Sequence, residues 1–379
     1  MVANARLGGA GDRGRGWTAL QAWAGLAAAM GLGRFIYTPL LPLMEQQTGS
    51  SPSATAVVAT MNYLGYFLGA VALSIWPAWA TRRGLYRGAI VTLVVSELAM
   101  ILAPDIGLWS GARLLAGLAS AVVFVYCATA ILGRASPGLA YAGIGTGIAC
   151  SGLLVVALES RLDWAQLWVA AAALTALFGA LAWGLTPSPW TGGPATGAPP
   201  HGSRTKGALL VLSYSLEGLG YIILGTFLVA AVSADGPRWS GPAAWVVVGL
   251  AAAISPTLWS MAQRRFETLN LLAAALVLQA IASALPALVP GTPAAMVSAV
   301  LFGGTFVGIV MLSMAAGARL GIPRSAAVLT AGYGLGQIIG PVAVAPMLGG
   351  GYNSAFIAAA VVLAAAALLT LAIRDRGTE

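Results

Sequence analysis

Four ionisable side chains stand inside long apolar stretches of the chain: Arg34, Glu97, Arg113 and Glu217. A charge at the centre of a bilayer costs at least ~2.5 kcal/mol, so such a residue faces a cavity or a partner. Two of the four are basic and two acidic, which suggests pairing. Glu97 lies eight residues before Asp105 and Arg113 eight after it. If two helices turn at Asp105, a rise of ~1.5 Å per residue sets both side chains about 12 Å below the same surface. That pair predicts an ion pair locking two helices or a proton-coupling pair. Arg34 and Glu217 form the second expected pair. A guanidinium there can anchor an anionic group through its fork of donors. A carboxyl there can take up and release a proton, or the two can form a salt bridge.

Polar and aromatic residues at matching depth extend the candidate lining: Tyr37, Asn62, Tyr66, Tyr126, Tyr214, Gln279, Tyr333 and Gln337. Each can serve as hydrogen-bonding glue between helices or as a ligand contact. Asn62 and Gln337 rank first as ligand contacts. Other chemistries lack their residues. Cys127 and Cys150 lie in apolar blocks without a metal spacing. His201, the one histidine, falls in a polar loop and supports neither a zinc site nor a triad. The glycines Gly143, Gly145, Gly147 and Gly152 have no Lys-Ser/Thr after them, so they are not a phosphate loop. No cofactor, metal or enzymatic role is expected.

The elements that position these residues are read from hydropathy. Of 379 residues 59% are hydrophobic and only 8% charged, against roughly 25% charged in soluble domains. The apolar residues come in blocks near the ~20 residues of a bilayer span. Bounded by charge, Pro and Gly, the blocks are 17–44, 53–80, 88–103, 107–132, 138–158 and 164–185, then 207–232, 241–261, 268–289, 293–316, 325–348 and 353–373. The fold class is therefore an all-α polytopic membrane protein with twelve transmembrane helices. Residues 17–185 and 207–373 form two six-helix bundles, joined by a linker at 186–206 rich in Pro, Gly, Ser and Thr. Residues 1–16 and 374–379 are the tails. Arg13 and Arg15 precede the first block as in a signal peptide, but that block is long and runs through Pro39 and Pro42, so it reads as an uncleaved span.

Charge placement orients the spans. The net charge of +8 does not point to nucleic acid, because the arginines fall between apolar blocks rather than in one patch. With a cytoplasmic N-terminus, Arg82, Arg83, Arg87, Arg134, Arg204, Lys206, Arg264, Arg265, Arg319 and Arg324 all lie inside, whereas Arg161 and Arg238 lie outside. This is the positive-inside pattern.

An internal repeat supports two halves. Gly31-Leu32-Gly33 matches Gly218-Leu219-Gly220, and Ala142 to Gly147 matches Ala331 to Gly336, at offsets of 187 and 189 residues. The Arg82-Arg83 pair recurs as Arg264-Arg265. In that register Met30 corresponds to Glu217 and Arg34 to Tyr221. Two six-span repeats joined by a linker are the plan of transporters that rock around a midplane site.

Three stretches carry a family resemblance. Arg113-Leu-Leu-Ala-Gly117-Leu-Ala-Ser-Ala121 resembles the RxxxGxxxA motif of the major facilitator superfamily, which implies a proton-coupling role for Arg113. Ala80-Thr-Arg-Arg-Gly84-Leu-Tyr-Arg87 resembles a degraded form of that superfamily's loop motif, with Thr81 where an acidic residue is usual. Gly31-Leu-Gly-Arg34-Phe-Ile-Tyr37-Thr-Pro39-Leu-Leu-Pro42-Leu-Met44 is similar to the signature of the YbfB/YjiJ-like group. The resemblance implies the major facilitator fold and a transporter-like role.

The expectation is a secondary transporter in the bacterial inner membrane, monomeric, working on a small organic solute by alternating access. Protons are the expected coupling ion, and the lipid bilayer the expected surroundings. Export is favoured by the aromatic lining; uptake of an organic anion is the alternative suggested by Arg34. A receptor or assembly factor that kept the fold is the rival outside transport.

Overall fold

The computed structural model describes residues 5–131, 137–187, 204–235, 239–344, 346–347 and 351–375. Among them every regular element is helical. The α-helices are α1 (Ala5–Leu26), α2 (Tyr37–Thr48), α3 (Pro52–Ile75), α4 (Arg83–Ala99), α5 (Ile106–Ile131), α6 (Pro137–Leu158) and α7 (Trp164–Ala182). They continue as α8 (Arg204–Asp235), α9 (Ser240–Ala262), α10 (Thr268–Leu288), α11 (Thr292–Arg319), α12 (Ser325–Val344) and α13 (Asn353–Asp375). Local chemistry sets several ends. Ser51 caps α3 ahead of Pro52 at a position where the missing N–H costs nothing. Asp163 and Gln166 form a reciprocal capping box at the start of α7. Gly49, in the left-handed region at φ 69°, closes α2.

Eleven stretches are long and apolar enough to cross a bilayer, the first being Gly16–Thr48 across α1 and α2. The chain is a multi-pass membrane protein. The helix α4, at 17 residues, falls below that length; its rise of about 26 Å still approaches the ~30 Å hydrocarbon core. Outward faces carry Leu102, Leu177, Leu258, Val361 and Leu368, all largely exposed. Such a surface suits hydrocarbon rather than water.

The helix boundaries depart from the expected spans in physically sensible places. The first span is not continuous. After Leu26 the backbone widens into a π-helix, Ala27–Leu32, turns at 33–36, and resumes helix at Tyr37. Helix also begins inside the expected tail 1–16, at Ala5. The second span stops at Ile75 because Pro77 opens a 3₁₀ turn, Pro77–Thr81. Most of the expected basic loop 81–87 is the first turn of α4. Span six ends at Ala182, and α8 starts inside the expected linker, at Arg204. The centre of that linker, with Pro189, Pro194, Pro199, Pro200 and His201, lies outside the described residues, as do Arg134, Arg238 and Arg376.

Two close helix pairs join α1–α7 to α8–α13. The most extensive contact of all is α6 on α9, and α3 packs on α12. Glycines make both approaches possible. A Cβ on Gly143 would stand 2.0 Å from Trp23 O, and one on Gly147 2.4 Å from Ala27 O, both on the first span. A Cβ on Gly145, on the opposite face of α6, would meet Ala253 N of α9 at 2.0 Å. The repeat partners behave alike. Gly332 and Gly336 face Ser215 of α8, and Gly334 faces Phe67 of α3.

The turns sort to two ends. Arg83 and Arg87 donate to Gly184 O and Trp183 O, and Arg324 donates to Ser74 O at 2.7 Å, so these turns share one face. At the other face Trp164 N donates to Gln47 Oε1.

Filling the α6–α9 seam should be costly. Gly145→Val should destabilise the protein by about 1–3 kcal/mol through overpacking, read as a lower midpoint of thermal unfolding in detergent. Gly111→Ala, where a Cβ meets nothing within 4 Å, should leave it unchanged. Equal midpoints for the two variants would refute this account of the seam.

Candidate functional site

The break in the first span frees backbone acceptors in the protein interior. Gly33 N reaches back five residues to Ala28 O, and Thr38 N turns to Phe35 O rather than Arg34 O. The helix α5 supplies replacements. Ser120 Oγ donates to Ala29 O at 2.9 Å. Arg113 Nη1 donates to Gly33 O at 2.7 Å and Nη2 to Arg34 O at 2.6 Å. Arg113 and Ser120 lie seven residues apart, on one face of α5. Their guanidinium and hydroxyl thus stand in for helical N–H groups, which hydrocarbon cannot provide.

Neighbouring helices hold Arg113 in place. Its guanidinium lies 5.5 Å from the Tyr37 ring and 5.9 Å from the Trp168 ring. Asn62 Nδ2 of α3 donates to Arg113 O at 3.0 Å. That approach depends on Gly117, where a Cβ would stand 2.1 Å from Asn62 O. Tyr37 donates to Thr55 O. Tyr37, Asn62 and Arg113 therefore form one group.

Arg34, carried by the broken segment, forms another. It is 2% exposed. Its Nη2 donates to Gln337 Oε1 of α12 across a very short contact. Its guanidinium lies 4.0 Å from the Tyr66 ring and 5.5 Å from the rings of Phe35 and Tyr63. Arg34 Nε, Arg34 Nη1 and Gln337 Nε2 are buried without a hydrogen-bond partner.

Glu217 on α8 is fully buried, and the Gln279 side chain of α10 is the polar neighbour of its carboxyl. Tyr214 stacks on Tyr333 with ring centroids 4.8 Å apart. Tyr333 meets Tyr221, which stacks on Phe302 and Phe306. Phe35 bridges toward this cluster, edge-on to Tyr221 and Trp245.

The expected pairs are arranged differently from the sequence expectation. Arg34 bonds Gln337, not Glu217; Tyr221 and Tyr333 lie near both charges. Glu97 Oε1 accepts from Thr175 at 3.0 Å, while Arg113 Nη1 and Nη2 donate to the first span. No direct hydrogen bond joins Glu97 to Arg113, although each feels the other's charge. Tyr126 stands apart from both groups. It stacks on Tyr86 at 4.0 Å and donates to Leu185 O.

Several contributors escaped sequence reasoning. Ser120 was legible only as the residue seven after Arg113. Tyr221 stands where the repeat aligns it with Arg34. Tyr63, Phe35 and Thr175 carry no distinguishing sequence signal beyond adjacency or depth.

The described residues thus form a multi-pass helical membrane protein with ionisable side chains buried in its interior. The sequence profile of the family described as uncharacterised MFS-type transporter YbfB matches residues 26–373. The chain belongs to that family of the major facilitator superfamily. No match is found among curated proteins.

If Arg113 caps the break, Arg113→Leu should destabilise the protein by about 3 kcal/mol, since hydrogen bonds to charged groups contribute ~1.5–3 kcal/mol each. Amide exchange at residues 33–38 should speed up more than elsewhere. Unchanged exchange in that segment would contradict the capping role.

Proposed function

We propose that the chain is a secondary transporter that moves a small organic solute across the bacterial inner membrane by alternating access. Twelve spans work as two pseudo-symmetric six-helix halves, residues 17–185 and 207–373. The α1–α2 unit counts as one span and α4 as another. Support comes from the matched glycines. Gly143 and Gly147 pack on the first span of their half as Gly332 and Gly336 pack on α8, while Gly145 and Gly334 cross to the other half. The linker 186–206 and the tails 1–16 and 374–379 lie in the cytoplasm, in keeping with the positive-inside rule. The protein works as a monomer, since both sets of charges lie within one chain.

One observation carries the reading: Arg34, in the break of the first span, and Glu217, on α8, are both buried in different halves, and Arg34 keeps donors without a partner. Buried polar groups are costly when unsatisfied, so they mark a place that a solute or proton occupies during the cycle. Glu217 is the proposed proton carrier, and Glu97 with Arg113 a second element of coupling. Tyr66, Tyr214 and Gln337 line the solute path, with Tyr37 and Asn62 behind them and Tyr126 toward the cytoplasmic end.

The aromatic lining favours export in exchange for protons. Import of an organic anion with protons is the second reading, and the open donors of Arg34 favour it.

Proteoliposomes containing a pH dye test the coupling. A panel of small carboxylates, amines and neutral aromatics should include a solute that moves protons through the unaltered protein. Glu217→Gln should abolish that movement while solute counterflow persists. Proton movement undiminished in Glu217→Gln would remove Glu217 from the mechanism.

A further inference from the structure

We infer that the transported solute is a carboxylate with an apolar, preferably aromatic, body, and that Arg34 binds its carboxylate. This rests on the transporter reading above and gives it a substrate class.

Arg34 is buried, and the side chains that touch its guanidinium are neutral: Gln337 takes one donor, and the rings of Phe35, Tyr63 and Tyr66 surround it, while Arg113 adds a second positive charge nearby. Glu217, the carboxyl nearest in role, rests beside Gln279 instead. Glu97 is held by Thr175. A buried guanidinium without a counter-ion is an incomplete arrangement, since a lone buried charge is much costlier than a paired one.

Geometry then selects the missing partner. The Nε and Nη1 atoms of Arg34 have no partner. Arginine presents paired N–H groups as a planar fork that matches the two oxygens of a carboxylate. A further donor on α12, Gln337 Nε2, is buried without a hydrogen-bond partner. All are donors, so they suit an acceptor-rich, negatively charged group. An amine would meet the wrong sign.

The surroundings select the rest of the molecule. Beyond the guanidinium the walls are ring faces and edges, and Tyr66 continues into Phe124 and Phe124 into Tyr141. Tyr141 lines a cavity of about 160 Å³ between the two sets of helices, together with Ile131, Met311 and Met314. Methionine and aromatic surfaces adapt to flat apolar bodies. Packed rings, Tyr141, Phe124 and Tyr66, thus join that cavity to the guanidinium, and their surfaces suit a solute with an apolar, aromatic body.

The full chain, purified in detergent, tests this by thermal shift with benzoate, benzamide, benzylamine and acetate. Ligand binding to the folded state raises the unfolding midpoint. Benzoate should raise it, acetate should raise it less, and benzamide and benzylamine should leave it unchanged. Arg34→Lys, which keeps the charge but loses the fork, should weaken benzoate binding about tenfold or more. The ligand comparison uses the unaltered chain, so it decides the matter even if Arg34→Lys fails to fold. Equal or larger shifts with benzylamine or benzamide, no shift with benzoate, or undiminished benzoate binding by Arg34→Lys would overturn the assignment. Those outcomes leave the transporter reading standing. Conversely, benzoate binding without solute-driven proton flux in proteoliposomes would uphold the anion site and count against the coupled transporter.

Discussion

A helix in hydrocarbon has to satisfy its own backbone, because no water is there to do so. The first span of this protein breaks that rule in its middle, and much of the site follows from how the break is repaired. The π-helix at Ala27–Leu32 and the turn that follows release carbonyls at Ala29, Gly33 and Arg34. Ser120 and Arg113 of α5 take them up. Arg113 is thereby committed to structure near the first span, while the side chain of Arg34 projects into the space between α1–α7 and α8–α13, where Gln337 meets it. A charge that positions and a charge that is available thus stand next to each other in the chain's fold, and the backbone break separates their duties.

The break also makes the site responsive. Pro42 removes an internal hydrogen bond from α2, while the first span before the break stays packed on α6 through Gly143 and Gly147. On the other side α8 is unbroken and carries Glu217 in a closed aromatic setting. Under the proposed cycle, movement of one half on the other exchanges the partners of these two groups. At the seams α6–α9 and α3–α12 the glycines Gly145, Gly249 and Gly334 let the two sets of helices approach closely.

Much of the architecture was legible from hydropathy, since bilayer thickness dictates span length and loop charge follows orientation. The breaks were less so. Pro77 and the Pro39–Pro42 pair are visible punctuation, but a π turn has no residue code, and it moved the functional centre of the first span. The buried charges were found because a charge in an apolar block is conspicuous. Their partners were not, because a partner lies across a helix interface whose rotation a single sequence leaves open. Depth alone placed Glu97 opposite Arg113, whereas the rotation of α5 turns Arg113 toward Gly33 and Arg34. Gln337 was singled out as a polar residue at mid-span; that it meets Arg34 required the register of α12 against the first span.

The central claim is that two halves move around the buried Arg34 and Glu217. Paired spin labels measure this directly, in protein with Cys127 and Cys150 replaced by alanine. One pair, at Arg82 and Arg264, spans the equivalent turns after α3 and α9. The other, at Pro104 and Pro290, spans the turns after α4 and α10. All four positions are exposed. Distances taken by electron double resonance at pH 5 and pH 8, with and without benzoate, should change in opposite senses at the two pairs. Two distances that stay fixed throughout, or that lengthen together, would contradict alternating access.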